Sequence, residues 1–307
     1  MKSRLVLTLV LLLVSCDPVS EPIEREQAAA APTPAPTPEP SPTPAWKDLR
    51  YIPDPSVPLP REPGRLAQSL ERVTWELNNS IERWRKHGDV HERAPKTVLY
   101  QAVHEQRIYR LLARNEDLYE RVLPKLRPYL ARSARAIVRA GSVLRSLVRP
   151  IGPDTKFLTQ KPESAGNLLD YYKEAERRFD VDWEMLAAIN YVETKFGRVR
   201  SPSYAGAQGP MQFLPSTWAA YGLGGEINDP QDAVMGAANY LSASGAPGDY
   251  RSALYAYNPA DEYVESISLY ASEIMRDPHR YFAFYNWQVF VVTTAGDLRL
   301  TGPGADR

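Results

Sequence analysis

Leu66, Leu70, Val73, Leu77, Ile81 and Trp84 recur at spacings of three and four. That period places them on one face of an amphipathic helix, and His87-Gly88-Asp89 supplies its stop. Looser versions of the pattern over 98–112 and 131–148 predict further helices, with Pro124 and Pro128 interrupting between them. Leu168, Leu169, Tyr172, Ala175 and Phe179 share one side of a helix over 167–179. On the next helix, 183–196, Leu186, Ile189 and Glu193 share a stripe, and Asp180 or Asp182 offers its cap. A carboxylate therefore stands where apolar residues stand, just before Gly197. Val264, Ile267, Ala271 and Ile274 form the buried stripe of a later helix. In 281–300 the period changes. Trp287, Val289, Val291 and Thr293 alternate with Gln288, Phe290 and Val292, and Ala295-Gly296-Asp297 turns toward a second short strand at 298–301. This predicts a hairpin whose Tyr281, Tyr285 and Trp287 either extend a binding groove or fill the core. The chain reads as mainly α with a short C-terminal β-hairpin.

The N-terminus obeys a different pattern. Lys2 and Arg4 precede a run, 5–14, that is apolar except for Thr8. Ten residues fall short of a hydrocarbon core of about 30 Å at about 1.5 Å per residue, but they suit the core of a signal peptide. Leu13-Val14-Ser15-Cys16 follows and resembles the bacterial lipobox, in which cleavage precedes Cys and the thiol carries a diacylglyceryl group. Cys16 is the chain's one cysteine, so a disulfide framework and a thiolate metal site are both excluded. Fourteen of the 28 prolines precede residue 64. The Pro-Thr-rich run 31–44 lacks alternate backbone donors and favours polyproline II, a spacer of roughly 40 Å at about 3.1 Å per residue. The expected organisation is a lipoprotein signal peptide (1–15), a lipid-anchored Pro-rich linker (16–63), a basic helical region (64–150), a catalytic region (151–280), and a C-terminal hairpin and tail (281–307). The expected location is extracytoplasmic, on the cell membrane, in a periplasm or on an outer face.

The chain has 307 residues, and 43% of them are hydrophobic, enough to bury a core. Its 37 Lys/Arg balance 37 Asp/Glu. No nucleic-acid partner is expected from this balance. The distribution is uneven: residues 61–150 hold 19 Lys/Arg against 10 Asp/Glu, while 151–307 hold 13 against 20. Between 127 and 149 there are six Arg and no acid. These are either a solvated helix face or a patch for an anionic surface. His87 and His91 lie four apart, but no third ligand accompanies them, so no metal is expected.

Chemistry concentrates in 165–275. Burial of Glu193 would raise its pKa, as suits a general acid near neutral pH; a hydrogen-bonded structural Glu is the other reading. Gly206 and Gly209 permit close backbone approach. Gln212 offers a donor and an acceptor, and Tyr255, Tyr257 and Asn258 offer rings and an amide suited to a sugar. Asp229-Pro230-Gln231-Asp232 and Asn258-Pro259-Ala260-Asp261-Glu262 read as helix starts, which accounts for those acids without catalysis.

Tyr191-Val192-Glu193-Thr194-Lys195-Phe196-Gly197, then Gly209-Pro210-Met211-Gln212-Phe213-Leu214-Pro215-Ser216-Thr217, then Ala256-Tyr257-Asn258 come in the order and spacing of a known family. They resemble the bacterial lytic transglycosylases with a soluble-lytic-transglycosylase (SLT) domain, over about 165–275, roughly a third of the chain. The chain departs from that family at Thr194, where Ser is usual, and at Pro210, where Leu is usual. The resemblance implies a lysozyme-like helical domain acting on peptidoglycan without cofactor. It implies Glu193 as the single catalytic acid/base, and Thr194, Met211, Gln212, Tyr257 and Asn258 as substrate-binding residues. In the implied mechanism, Glu193 protonates the glycosidic oxygen between N-acetylmuramic acid and N-acetylglucosamine. The substrate's N-acetyl group stabilises the anomeric carbon. Ionised Glu193 then takes a proton from the muramyl C6 hydroxyl, giving a 1,6-anhydro end. A muramidase that uses water, and a silent glycan-binding lipoprotein, are the competing readings.

Overall fold

A computed structural model of the chain describes residues 51–305, except 153 and 156. The signal peptide, Cys16 and the Pro-rich run lie outside the described residues. Those described form one compact unit of eleven α-helices and a two-stranded antiparallel sheet.

The first four helices are α1 (Pro63–His87), α2 (Lys96–Ala113), α3 (Glu116–Val122) and α4 (Pro128–Ser146). A 3-10 turn, Leu123–Lys125, joins α3 toward α4. In α1, Glu62 accepts from Gly64 N at 2.8 Å and Arg65 N at 2.6 Å, Pro63 occupies the first position, and Arg85, Lys86 and His87 face the negative end of the helix dipole. The stripe from Leu66 to Trp84 is buried, as its period requires.

The remaining helices are α5 (Ala165–Phe179), α6 (Trp183–Thr194), α7 (Pro215–Tyr221), α8 (Pro230–Ala243), α9 (Tyr250–Tyr257), α10 (Asp261–Arg276) and α11 (His279–Asn286). Strands β1 (Phe290–Thr293) and β2 (Gly296–Arg299) pair with Phe290 opposite Arg299 and Thr293 opposite Gly296. Helix α10 packs against both α4 and α6, so the basic block and the later helices share one core. The boundaries expected at 150 and 280 therefore do not separate bodies. A buried ion pair crosses the first: Arg280 donates to Glu105 at 2.9 Å, with side chains 3% and 0% exposed, and Thr74 donates to the same carboxylate at 2.8 Å; Gln106 Nε2, donating to the Gln288 carbonyl at 2.9 Å, crosses both.

Three local expectations are corrected. Neither Asp180 nor Asp182 caps α6 with its side chain: Asp180 ends α5 in a left-handed conformation, while Glu176 accepts from Trp183 N at 3.1 Å and Tyr250 Oη bonds Asp182 N at 2.7 Å. Asp229 caps α8 as expected, and Asp261 and Glu262 lie in the first turn of α10 as expected, but that helix begins at Asp261 with Ala260 as its cap residue, so Asn258-Pro259 stands outside it; Asp261 pairs with Arg251 at 2.8 Å. The hairpin does not reach back to 281. Asp277 accepts from His279 N at 3.0 Å just ahead of α11, whose cap residue is Pro278, one position later than the Asp-Pro pair that opens α8. Tyr281 and Tyr285 are buried away from the cavity described below, so for them the core-packing reading holds, whereas Trp287 is buried and also lines that cavity.

Candidate active site

Helix α6 carries Glu193 in its last turn. The chain then reverses through three consecutive left-handed residues, Lys195, Phe196 and Gly197 (φ 54°, 60° and 79°). Thr194 holds this reversal. Its Oγ1 accepts from Gly197 N at 2.9 Å and donates to the Pro210 carbonyl at 2.6 Å. The hydroxyl is thus what couples the helix end to the loop, and Thr supplies it as Ser would.

That loop is a four-residue turn from Gly209 to Gln212, closed by Gln212 N donating to Gly209 O at 3.1 Å. Gln208 and Phe213 flank it with reciprocal 2.8 Å backbone bonds. Pro210 sits second in the turn, where its fixed φ is suited and its missing N–H is not required. Gly209 has φ 75°, and a Cβ there would lie 1.9 Å from the Ile227 carbonyl oxygen. Gln212 is itself left-handed at φ 52°, and its Nε2 donates back to Gly209 O at 3.0 Å. Such a conformation in a non-glycine residue is costly and persists only where its surroundings enforce it.

Tyr257, at the end of α9, donates to the Met211 carbonyl at 2.7 Å and packs against Phe213 and Tyr240. Asn258 follows as the cap residue of α9; it is buried, and its Oδ1 finds no partner in the protein. Thr194 and Met211 are fully enclosed. Glu193, Thr194, Met211, Gln212 and Tyr257 thus meet at one place, with Asn258 adjoining, but only Glu193 and Gln212 of the six line the open cavity.

Glu193 Oε1 accepts from Tyr263 Oη of α10 at 2.8 Å. Burial pushes its carboxyl up to about 7; the Tyr263 hydrogen bond and the nearby Lys195 pull the other way without cancelling it. With Oε1 engaged, Oε2 is the oxygen left to carry a proton. Lys195 lies at the same rim, its Nζ 2.9 Å from the Tyr191 carbonyl and over the Tyr191 ring at 4.1 Å. Burial, with Arg110 adding to it, pushes this ammonium down to about 7, while Glu193 opposes the shift.

The cavity beside Glu193 holds about 260 Å³ and is mostly apolar. Its walls come from α2 and its C-cap (Tyr109, Arg110, Arg114), α4 (Leu144, Arg145), β1 and the α6 end. Glu193 is the one acidic residue lining it among the described residues. An aromatic cluster backs this end of α6: Tyr191 stacks on Phe284 at 5.4 Å and meets Tyr270 edge-on at 4.9 Å, and Trp287 meets Phe284 at 4.9 Å.

Sequence reasoning missed Tyr263 and the arginine wall. A tyrosine within the helical stripe of α10 reads as core, and its phenol gives no sequence signal of its target. Arg110, Arg114 and Arg145 converge only through the fold.

No helix among the described residues is long and apolar enough to cross a membrane. Residues 170–271 match the family model for the transglycosylase SLT domain. The chain is 27% identical over 165 residues to a membrane-bound lytic murein transglycosylase F of Thiobacillus denitrificans, covering 48% of this chain and 35% of that protein. It is 30% identical over 120 residues to the protein of the same name from Cellvibrio japonicus, covering 36% and 24%. The chain thus spans about a third or less of the length of these curated relatives. No solved structure matches it significantly. The helix that carries Glu193 in its last turn, the Thr194-clamped turn and the Tyr257 helix all fall within the stretch that matches the transglycosylase SLT domain.

Proposed function

We propose that this protein is a peptidoglycan lytic transglycosylase, held outside the cytoplasm by a lipid on Cys16, that cleaves the bond between N-acetylmuramic acid and N-acetylglucosamine without water. The observation that carries the reading is Glu193: a carboxyl whose pKa burial raises to about 7, at a cavity where no second carboxylate stands among the described residues. Ordinary glycosidases place two carboxylates about 5–9.5 Å apart. With one, the substrate supplies the rest. Neutral Glu193 gives its Oε2 proton to the glycosidic oxygen as the C1–O bond breaks, and the 2-acetamido carbonyl closes on C1. The carboxylate so formed takes the proton of the muramyl C6 hydroxyl while O6 displaces the acetamido oxygen from C1. Glu193 ends protonated, ready for the next cycle. A pKa near neutrality serves both halves of this exchange.

Thr194, Met211 and Tyr257 act through the turn in this reading. Their bonds fix the Gly209–Gln212 backbone beside Glu193, and Gln212 presents its amide toward sugar hydroxyls. Exposed Arg132 and Arg135 on α4 offer a ridge for an anionic surface such as lipid headgroups. Digestion of purified sacculi tests the reading: anhydromuramyl ends are expected from the wild type and none from Glu193→Gln. Reducing ends in place of anhydro ends mean a hydrolase.

A further inference from the structure

The cavity beside Glu193 is walled by more positive charge than the fold needs. Arg110, Arg114 and Arg145 all reach the single carboxylate of Asp297, which is 8% exposed; Arg114 lies at 2.8 Å and Arg145 at 3.2 Å, and Arg110 also makes a close ion pair. One guanidinium would suffice to pin the turn of the hairpin. Three leave a local surplus of two positive charges at a half-enclosed surface, which is costly unless an anion completes it. Arg149, which is exposed and has no ion-pair partner among the described residues, adds a further cation to the lining. The Arg110 guanidinium carbon lies over the Phe290 ring, 4.4 Å from its centroid, and its buried Nε has no hydrogen-bond partner. Between the cations the lining is aliphatic: Ile137, Leu144, Val148, Ile151, Val291 and Val292.

Cations set among aliphatic patches fit a ligand that alternates carboxylates with small apolar groups. Planar guanidinium forks are well matched to carboxylates. We propose that this arginine-walled cavity is a subsite for the short, carboxylate-bearing peptide on the lactyl group of the muramyl residue, so that the protein favours glycan that keeps its stem peptides. The inference rests on the peptidoglycan reading above and names which part of that polymer the basic helices recognise. On this view α2 and α4 belong to the substrate site: with the residues just past their C-terminal ends they deliver Arg110, Arg114, Arg145 and Arg149 to the cavity that Glu193 lines.

The test reads binding and leaves cleavage aside. Soluble glycan chains with intact stems, the same chains stripped by an amidase, and chains whose stem carboxylates are amidated are titrated calorimetrically into full-length Glu193→Gln protein. Intact stems are expected to bind about tenfold tighter than either other ligand, the worth of a charge-assisted hydrogen bond. The gap should close toward parity when Arg149→Ala or Arg145→Gln is added. Arg149 is exposed, so its removal leaves the fold intact. Equal binding of all three ligands, or a gap that survives both substitutions, overturns the proposal. Amidated stems that bind as tightly as intact ones also overturn it, because the carboxylates would then not be what is read. Failure of the lyase reading shows separately, as wild-type protein that leaves sacculi undigested.

Discussion

Tyr263 and Glu193 stand 70 residues apart in the chain and share a 2.8 Å hydrogen bond between phenol and carboxylate. The bond fixes which carboxyl oxygen remains to carry a proton, and it moderates the rise in pKa that burial imposes. Tyr263→Phe keeps the ring and removes the donor. Its loss should raise the Glu193 pKa further, so the basic limb of the pH–rate profile moves to higher pH, with activity at the optimum falling about tenfold. A profile that stays in place would show that the phenol does not act on the carboxyl.

Glu193 also makes stability depend on pH. Its folded pKa of about 7 lies above the ordinary carboxylate value, so the folded state holds the proton more tightly than the unfolded chain. The group's contribution is fully present below pH of about 4 and is lost as pH rises through about 7, by on the order of 3 kcal/mol. Glu193→Gln removes this loss. The variant should therefore gain stability over the wild type at pH 8 and gain little at pH 4, read as paired urea melts.

The hydroxyl of Thr194 makes two short buried bonds, to Gly197 N and to the Pro210 carbonyl, and a longer one to Asn190 Oδ1 at 3.2 Å. Thr194→Val is isosteric and abolishes them, at a cost of about 1–3 kcal/mol, and loosens the turn beside Glu193. Thr194→Ser should restore both stability and activity. Thermal melts and sacculus digestion of the pair check this.

Arg280 and Glu105 form an ion pair enclosed by α1, α2 and α11. Arg280→Met leaves the Glu105 carboxylate buried without its cation and is expected to cost about 3–5 kcal/mol. Because this pair joins the basic helices to the later ones, denaturation should remain a single transition at lower urea.

Much of this was legible before any coordinates. The α1 stripe was readable because six apolar residues kept one period over three-residue and four-residue steps, and burial follows that period. The Asp229-Pro230 opening was readable because capping is local. An Asp-Pro pair also precedes α11, at Asp277-Pro278, but the alternation at 287–293 masks it in the sequence. Glu193 was marked by its place on an apolar stripe, and its meaning came from the motif order around it. Tyr263 and Asp297 were illegible for the opposite reason. Each acts on a partner far along the chain, and only packing of α10 on α6, and of the hairpin on α2 and α4, brings the groups together.

The central claim is that one carboxyl, at position 193, does the work of both acid and base. The most direct test is the mass of fragments released from purified peptidoglycan, compared between wild type and Glu193→Gln. The account predicts wild-type muropeptides lighter by one water than their hydrolytic counterparts, and no fragments from the variant. Fragments that carry the full water, or digestion by Glu193→Gln at the wild-type rate, would contradict it.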